Sequence, residues 1–297
     1  MIAAGIGPSR RWRACGKPAA RPRHRSTGGR SDRTRPVTAN QEQELLAVAR
    51  DAADAAAVEL RMRFGEEARG VRSKSSPTDL VSEADLAAET VIRALLGERR
   101  PDDAILGEEG GETGDGELRW VVDPLDGTAN YLFGIPAFAV SIACEDSSGV
   151  LAGVVLDPIR EERFEATRSG QSTLNGELIQ PGRRAETLDV ALVATGFGYK
   201  RAVRARQAEV LTRVLPRVRD IRRVGAAALD LCWCACGRFD AYYERGLNPW
   251  DVAAGGLIAS RAGLSVRDLP SSADDPAGTA AAPEWLIDEF MALIAPA

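Results

Sequence analysis

From Asn40 to Phe64 apolar residues recur at three- and four-residue steps, with Leu45, Ala49, Ala52, Ala53, Ala56 and Leu60 on one side. That spacing predicts an amphipathic helix, and Gly65 is its stop. After a polar stretch, Ser82 predicts the cap of a second helix reaching Leu96, with Ala84, Ala88, Val91, Ile92 and Leu95 on one face and Asp85 in the first turn. Past Pro101 the texture changes to short apolar runs divided by turn residues: AILG, RWVVD, AVSIAC, GVVLDP and RFEATR. These have the length and punctuation of strands. A second series starts at Glu186: a strand-like VALVATG, a helix from about Arg201 to Leu215, a short IRRVG, a helix ending at Gly237, a strand DAYYE, a helix opening near Trp250 and closing at Gly263, and a strand LSVRD. Helices followed twice by mixed elements predict layered α+β halves, residues 39–185 and 186–297, rather than a regular βαβ winding.

Charge sets the first residues apart. Ten of the 38 Lys and Arg, but one of the 43 acids, fall in residues 1–36, so the formal −5 averages a +9 arm and a −14 body. The arm is rich in Arg, Pro and Gly without apolar periodicity, and residues 1–38 are expected to be disordered. An over-extended start or an interaction arm would both give this composition; a secretory signal would need an apolar h-region, which is missing. No run of 18 apolar residues occurs, so no membrane span is expected. Five cysteines, three of them in C-x-C-x-C (Cys232, Cys234, Cys236), suit no disulfide framework and point to a reducing cytoplasm. On a helix these three face different ways, which favours packing over metal binding.

Histidine narrows the chemistry further. The single one, His24, lies in the arm. Chemistry in the body therefore has to use carboxylates, hydroxyls, lysine or metal-bound water rather than a histidine base or zinc ligand.

The stretch WVVDPLDGT (120–128) drives an apolar run into two acids. Asp123 is predicted at a strand tip, since Pro124 has no N–H for the ladder and pairing should stop there. The turn can swing Asp126 back beside Asp123, leaving the Leu125 carbonyl unpaired. Two carboxylates and a carbonyl make the hard-oxygen set magnesium prefers. Gly127 allows close approach, and a following helical turn aims the N–H groups of Gly127 and Thr128 at an anion. Read alone, the stretch is equally an Asx turn with a helix cap. Glu108 and Glu109 are equally a charged turn, and Asp251 and Asp85 equally N-terminal caps. Convergence of these acids would need divalent cations, because two carboxylates about 4 Å apart repel by about 4 kcal/mol at an effective dielectric near 20.

KSSPTDLVSEAD (74–85), GEE (107–109), DPLDGT (123–128), GVVLDP (153–158), YYE (242–244) and WDVAAGG (250–256) occur in this order. Together they resemble the inositol monophosphatase family of magnesium-dependent, lithium-sensitive phosphatases, from about residue 42 to the C-terminus. The resemblance implies a layered αβαβα sandwich of the sugar-phosphatase type, a homodimer, and two to three Mg²⁺ ions per site. It implies that Glu108, Asp123 and the Leu125 carbonyl hold one ion, and Asp123, Asp126 and Asp251 a second. Thr128, with Asp85 behind it and Glu108 nearby, would orient and deprotonate the attacking water, and Lys74 would give electrostatic support. Gly127 and Thr128 would bind phosphate; Gly225, Ala226, Ala227 and Glu244 would face the substrate. Where the inositol-selective pattern often has Gly-Thr-Ala, this chain has Gly225-Ala226-Ala227, one hydroxyl fewer. The implied reaction is hydrolysis of inositol 1-phosphate by metal-activated water, with histidinol phosphate, fructose 1,6-bisphosphate and 3′-phosphoadenosine nucleotides as same-fold rivals. A nucleic-acid-associated module using the basic arm is the reading from a different class, and nucleic acid is not the expected partner of the body.

Overall fold

A computed structural model describes residues 37–65, 70–73, 80–182, 185–273 and 275–295. The arm to Pro36 and Lys74 lie outside the described residues. Residues Val37–Ala297 form one compact unit. In chain order the elements are α1 (Ala39–Arg63), β1 (Arg72–Ser73), β2 (Leu80–Val81), α2 (Glu83–Arg99), β3 (Ala104–Gly107), β4 (Gly111–Thr113), β5 (Arg119–Asp126), α3 (Thr128–Leu132), β6 (Ala139–Asp146), β7 (Gly149–Asp157), β8 (Glu162–Thr167), β9 (Thr173–Leu174) and β10 (Glu177–Leu178). There follow β11 (Leu192–Thr195), α4 (Arg201–Val214), β12 (Asp220–Arg222), α5 (Ala227–Ala235), β13 (Ala241–Arg245), α6 (Pro249–Ala262), β14 (Ser265–Leu269), β15 (Gly278–Ala282) and α7 (Glu284–Ile294).

Eight strands make one sheet in the order β10-β9-β8-β7-β6-β5-β3-β4, antiparallel except for the β3–β5 pair. Five make the other, β12-β11-β13-β15-β14, in which β11 runs parallel to both neighbours. Strand alternation feeds two cores. On β5, Trp120 and Val122 enter the core under α1 and α2, while Val121 enters the core under α5 and α6. The second sheet repeats the device: Tyr242 faces α5 and α6, and Ala241 and Tyr243 face α7. The layers are therefore α1/α2, large sheet, α5/α6, small sheet, α4/α7, an α+β sandwich of αβαβα type.

Small residues let α6 sit close to the large sheet. Ala139, Ala143 and Gly153 face it, and a Cβ on Gly153 would stand 3.0 Å from the Ala254 Cα. An aromatic trio, Phe64, Tyr131 and Phe138, has ring centroids 4.9 to 5.4 Å apart and pins the end of α1 to α3. Tyr131 donates its hydroxyl to the Leu60 carbonyl at 2.9 Å, so the turn ahead of α3 is fixed from behind.

One expectation needs correction. Pairing does not stop at Pro124: β5 continues to Asp126, which pairs Ala139 across a register shift after Asp123. The irregularity falls where proline has no N–H to give, so the sheet absorbs it as a local bulge. Gly278–Ala282, a segment that the sequence reading left unassigned, forms β15 between β13 and β14. Cys144, Cys232 and Cys234 are buried free thiols, in keeping with a packing role, and Cys236 is free and half-buried.

Candidate active site

The N-termini of α2 and α6, the strand β5 and the end of β3 carry the acidic residues. Ser82 caps α2, and Asp85 completes the capping box by accepting from the Ser82 N–H at 2.8 Å. Asn248 and Asp251 form the same box at α6, Asp251 accepting from the Asn248 N–H at 2.6 Å. Asp126 reaches across to α5 and accepts from the N–H groups of Ala227 (3.2 Å) and Ala228 (2.7 Å). Gly127 precedes α3 with φ of 94°, a conformation that costs glycine least. The capping and Asx alternatives for these acids are thus real structural roles, carried by the same side chains that meet at the site.

Glu108 is set by a clamp that the sequence did not advertise. Glu89, buried in α2, accepts from the Glu109 and Gly110 N–H groups, both at 2.8 Å, and from Arg93 Nε at 2.6 Å. Gly107 and Gly110 leave the space for it, since a Cβ on either would fall within 2.6 Å of Glu89 Oε1. Glu108 N–H bonds the Val122 carbonyl at 3.1 Å, placing its carboxylate beside the end of β5.

Asp123 is buried there, with Oδ1 accepting from the Leu125 N–H at 3.0 Å. Burial pushes its carboxyl well up, and the nearby charges of Glu108, Asp126 and Asp251 push it further. Burial likewise raises Asp126 to about 7, against the pull of the Ala228 N–H. Thr128 Oγ1 lies 3.0 Å from Asp85 Oδ1 and 3.1 Å from the Leu125 carbonyl. Among the described residues no group of three or more His, Cys, Asp or Glu stands in ready-made coordination geometry. Backbone N–H groups hold Asp85, Asp123, Asp126 and Asp251 instead. The donor chemistry nonetheless fits divalent cations: oxygen donors only, with neighbouring like charges raising the buried Asp123 carboxyl, a conflict that a cation would relieve.

A cleft of about 490 Å³ opens over this cluster. Glu108, Asp126, Gly127 and Asp251 line one part, and Gly225, Ala227 and Glu244 another. Ala226 is buried just ahead of α5. Glu244 accepts from the Tyr242 hydroxyl at 3.0 Å, and Gly196 makes room for it, because a Cβ there would overlap the carboxylate. Burial raises Glu244 to about 7, opposed by the Tyr242 hydroxyl and the Arg223 guanidinium. The structure thus brings together every predicted site residue that it describes. Sequence reasoning missed Arg223, Lys200 and the Phe197–Tyr199 loop on the cleft wall. For Arg223 a signal existed, two positions before Gly225.

A profile of the inositol monophosphatase family matches residues 41–292. Inositol-1-monophosphatase SuhB of Mycobacterium tuberculosis H37Rv is 41% identical over 274 residues, covering 86% of this chain and 94% of that one. The Nus factor SuhB of Pseudomonas aeruginosa is 44% identical over 205 residues, 65% of this chain and 74% of that one. Among solved structures, the extragenic suppressor protein SuhB of Bartonella henselae superposes with a TM-score of 0.78 at 35% identity, covering 84% of this chain and 98% of that one. With profile, identity and fold in agreement over most of its length, the chain belongs to the inositol monophosphatase family.

Proposed function

We propose that this protein is a Mg²⁺-dependent, lithium-sensitive phosphomonoesterase that hydrolyses inositol 1-phosphate to inositol and phosphate in the cytoplasm. The observation that carries the reading is the meeting of Glu108, Asp123, Asp126 and Asp251 with the Thr128–Asp85 pair at one part of a cleft whose wall bears Glu244. Glu108, Asp123 and the Leu125 carbonyl would hold one Mg²⁺, and Asp123, Asp126 and Asp251 another. When bound, the ions supply charge neutralisation and a water of lowered pKa. The protein's own groups do the rest. Thr128 has one hydroxyl proton; donated to Asp85, it leaves Oγ1 lone pairs to accept from a water and aim it. Asp85 is then the proton sink behind Thr128 and Glu108 the second acceptor beside it. The Gly127 and Thr128 N–H groups would hold phosphate, Lys74 would support its charge, and Glu244 would accept hydrogen bonds from ring hydroxyls alongside Gly225, Ala226 and Ala227.

The test is phosphate release from inositol 1-phosphate, histidinol phosphate, fructose 1,6-bisphosphate and 3′-phosphoadenosine 5′-phosphate, with Mg²⁺, with chelator and with Li⁺. Preference for the inositol ester that needs Mg²⁺ supports the reading; equal rates on all four, or rates indifferent to chelator, defeat it. A homodimer belongs to the same proposal. Met62, Phe133, Ile135 and Ile159 are exposed by 58, 78, 48 and 37%. Arg61 and Arg160 tie their segments together through the carbonyls of Pro158 and Pro136. Such a strip suits a self-complementary contact, and Phe133→Asp should yield monomers in analytical ultracentrifugation. The Pseudomonas relative's name as a Nus factor keeps a nucleic-acid-associated role as the second reading.

A further inference from the structure

Of the residues in α4, Gln207 and Val214 are buried. A glutamine buried on so exposed a helix needs polar partners. Gln207 has two, both on the backbone. Its Oε1 accepts from the Gly198 N–H at 2.9 Å, and its Nε2 donates to the Arg245 carbonyl at 3.3 Å. That pairing fixes which way the amide points, because an N–H needs the oxygen and a carbonyl needs the nitrogen. Arg204, one turn earlier on the same helix, adds a second tie: its Nη1 donates to the carbonyls of Gly198 (3.3 Å) and Tyr199 (2.8 Å).

The two segments that Gln207 joins frame Glu244. β11 and β13 pair in register as far as Thr195 and Tyr243. Past that point comes Gly196, where a Cβ would overlap the Glu244 carboxylate, so the backbone of one strand is the seat for the side chain of the other. Gln207 then links the two chains again, at Gly198 two residues on and at Arg245 directly after Glu244. Phe197, Gly198, Tyr199 and Lys200 continue from this link along the cleft wall. The position of that wall against Glu244 is thus set from α4, through one carboxamide and one guanidinium.

Resting on the phosphatase reading, we propose that Gln207 is a positioning residue for substrate recognition. Its carboxamide holds the Phe197–Lys200 loop to the end of β13, and so sets the slot from which Glu244 meets the substrate's hydroxyls. Gln207 does not itself line the cleft, so its effect passes through Glu244 and the loop rather than through a contact of its own.

The test compares inositol 1-phosphate with phenyl phosphate, an ester with no ring hydroxyls to recognise. Gln207→Met keeps the length of the side chain without either hydrogen bond. It should raise KM for the inositol ester about tenfold with kcat little changed, the size of one hydrogen bond to the substrate, and leave phenyl phosphate unaffected. Gln207→Glu still accepts from Gly198 but has no donor for Arg245, and should recover part of the loss. Added to Glu244→Gln, Gln207→Met should cost almost nothing more, as expected of two residues acting through one contact. Hydrogen exchange follows the tie apart from turnover, and the Gly198 amide should exchange about tenfold faster in Gln207→Met. An equal loss on both esters, a full further loss in the double variant, or unchanged exchange overturns the proposal. Should Gln207→Met fail to fold, Arg204→Gln, an exposed change, runs the same comparison with a smaller expected rise in KM, and no rise overturns the proposal. If the parent hydrolyses neither ester while exchange still responds, the phosphatase reading fails and the loop tie stands.

Discussion

Replacing Asp123 by asparagine separates what the acidic cluster does for catalysis from what it does to the fold. The change is isosteric, and the side-chain oxygen keeps its bond from the Leu125 N–H. The new amide can donate to Glu108, with which Asp123 already shares a hydrogen bond. What disappears is one buried charge facing three others. A single pair of carboxylates near contact repels by about 4 kcal/mol at an effective dielectric of about 20. Proton uptake and solvent relieve much of that, so about 1 to 2 kcal/mol of stabilisation is expected in the absence of metal. For a fold of this size that is a rise of roughly 2 to 8 °C in Tm. Turnover should fall by about 10³-fold or more, equivalent to about 4 kcal/mol of barrier, because an oxygen proposed to bridge both ions is gone. Thermal melts in chelator and across a Mg²⁺ titration, beside phosphate-release assays, measure both. A variant that melts below the parent in chelator, still gains stability from Mg²⁺ as the parent does, and turns over normally would refute the reasoning.

Three further outcomes follow from particular contacts. Thr128→Val keeps the volume but not the hydroxyl bonded to Asp85, so kcat should fall about 10²- to 10³-fold with Tm little changed, while Thr128→Ser retains most activity. In chelator, Glu244 sits near 7 in the fold against 4.5 as its ordinary value, so between those pH values the folded chain holds a proton that the unfolded chain has released. Stability should therefore decline as pH rises from about 4.5 to about 7, and melts of Glu244→Gln should show a flatter decline over that window. Deleting residues 1–36 should leave phosphate release intact, since Val37–Ala297 is a compact unit by itself; loss of turnover would favour the second reading.

Much of this was legible because local chemistry and tertiary role agree. The run Trp120-Val121-Val122 is β-branched and aromatic, and it is a strand buried on both faces. Ser82 and Gly263 mark the ends of α2 and α6 because cap chemistry is local. The rest depends on neighbours the sequence does not name. Ala280 and Ala281 have a helix former's propensity, yet they lie in β15 because β13 and β14 pair with it on either side. In the sequence Glu89 is one more charge in α2, and only the turn it grips reveals its task of placing Glu108. In the sequence Arg223 is half of a basic doublet, and only the space that Gly225 leaves shows where its guanidinium lies.

Asp85, Asp126 and Asp251 are fastened to the starts of α2, α5 and α6, and this constrains how the protein can change. Exchanging any of the three for another donor would unfasten a helix as well as alter the chemistry, so descendants of this chain have little latitude there. The loop at Phe197–Lys200 and the position of Arg223 hold no such double duty. New substrate preferences can arise at those positions, while the hydrolytic apparatus is inherited unchanged.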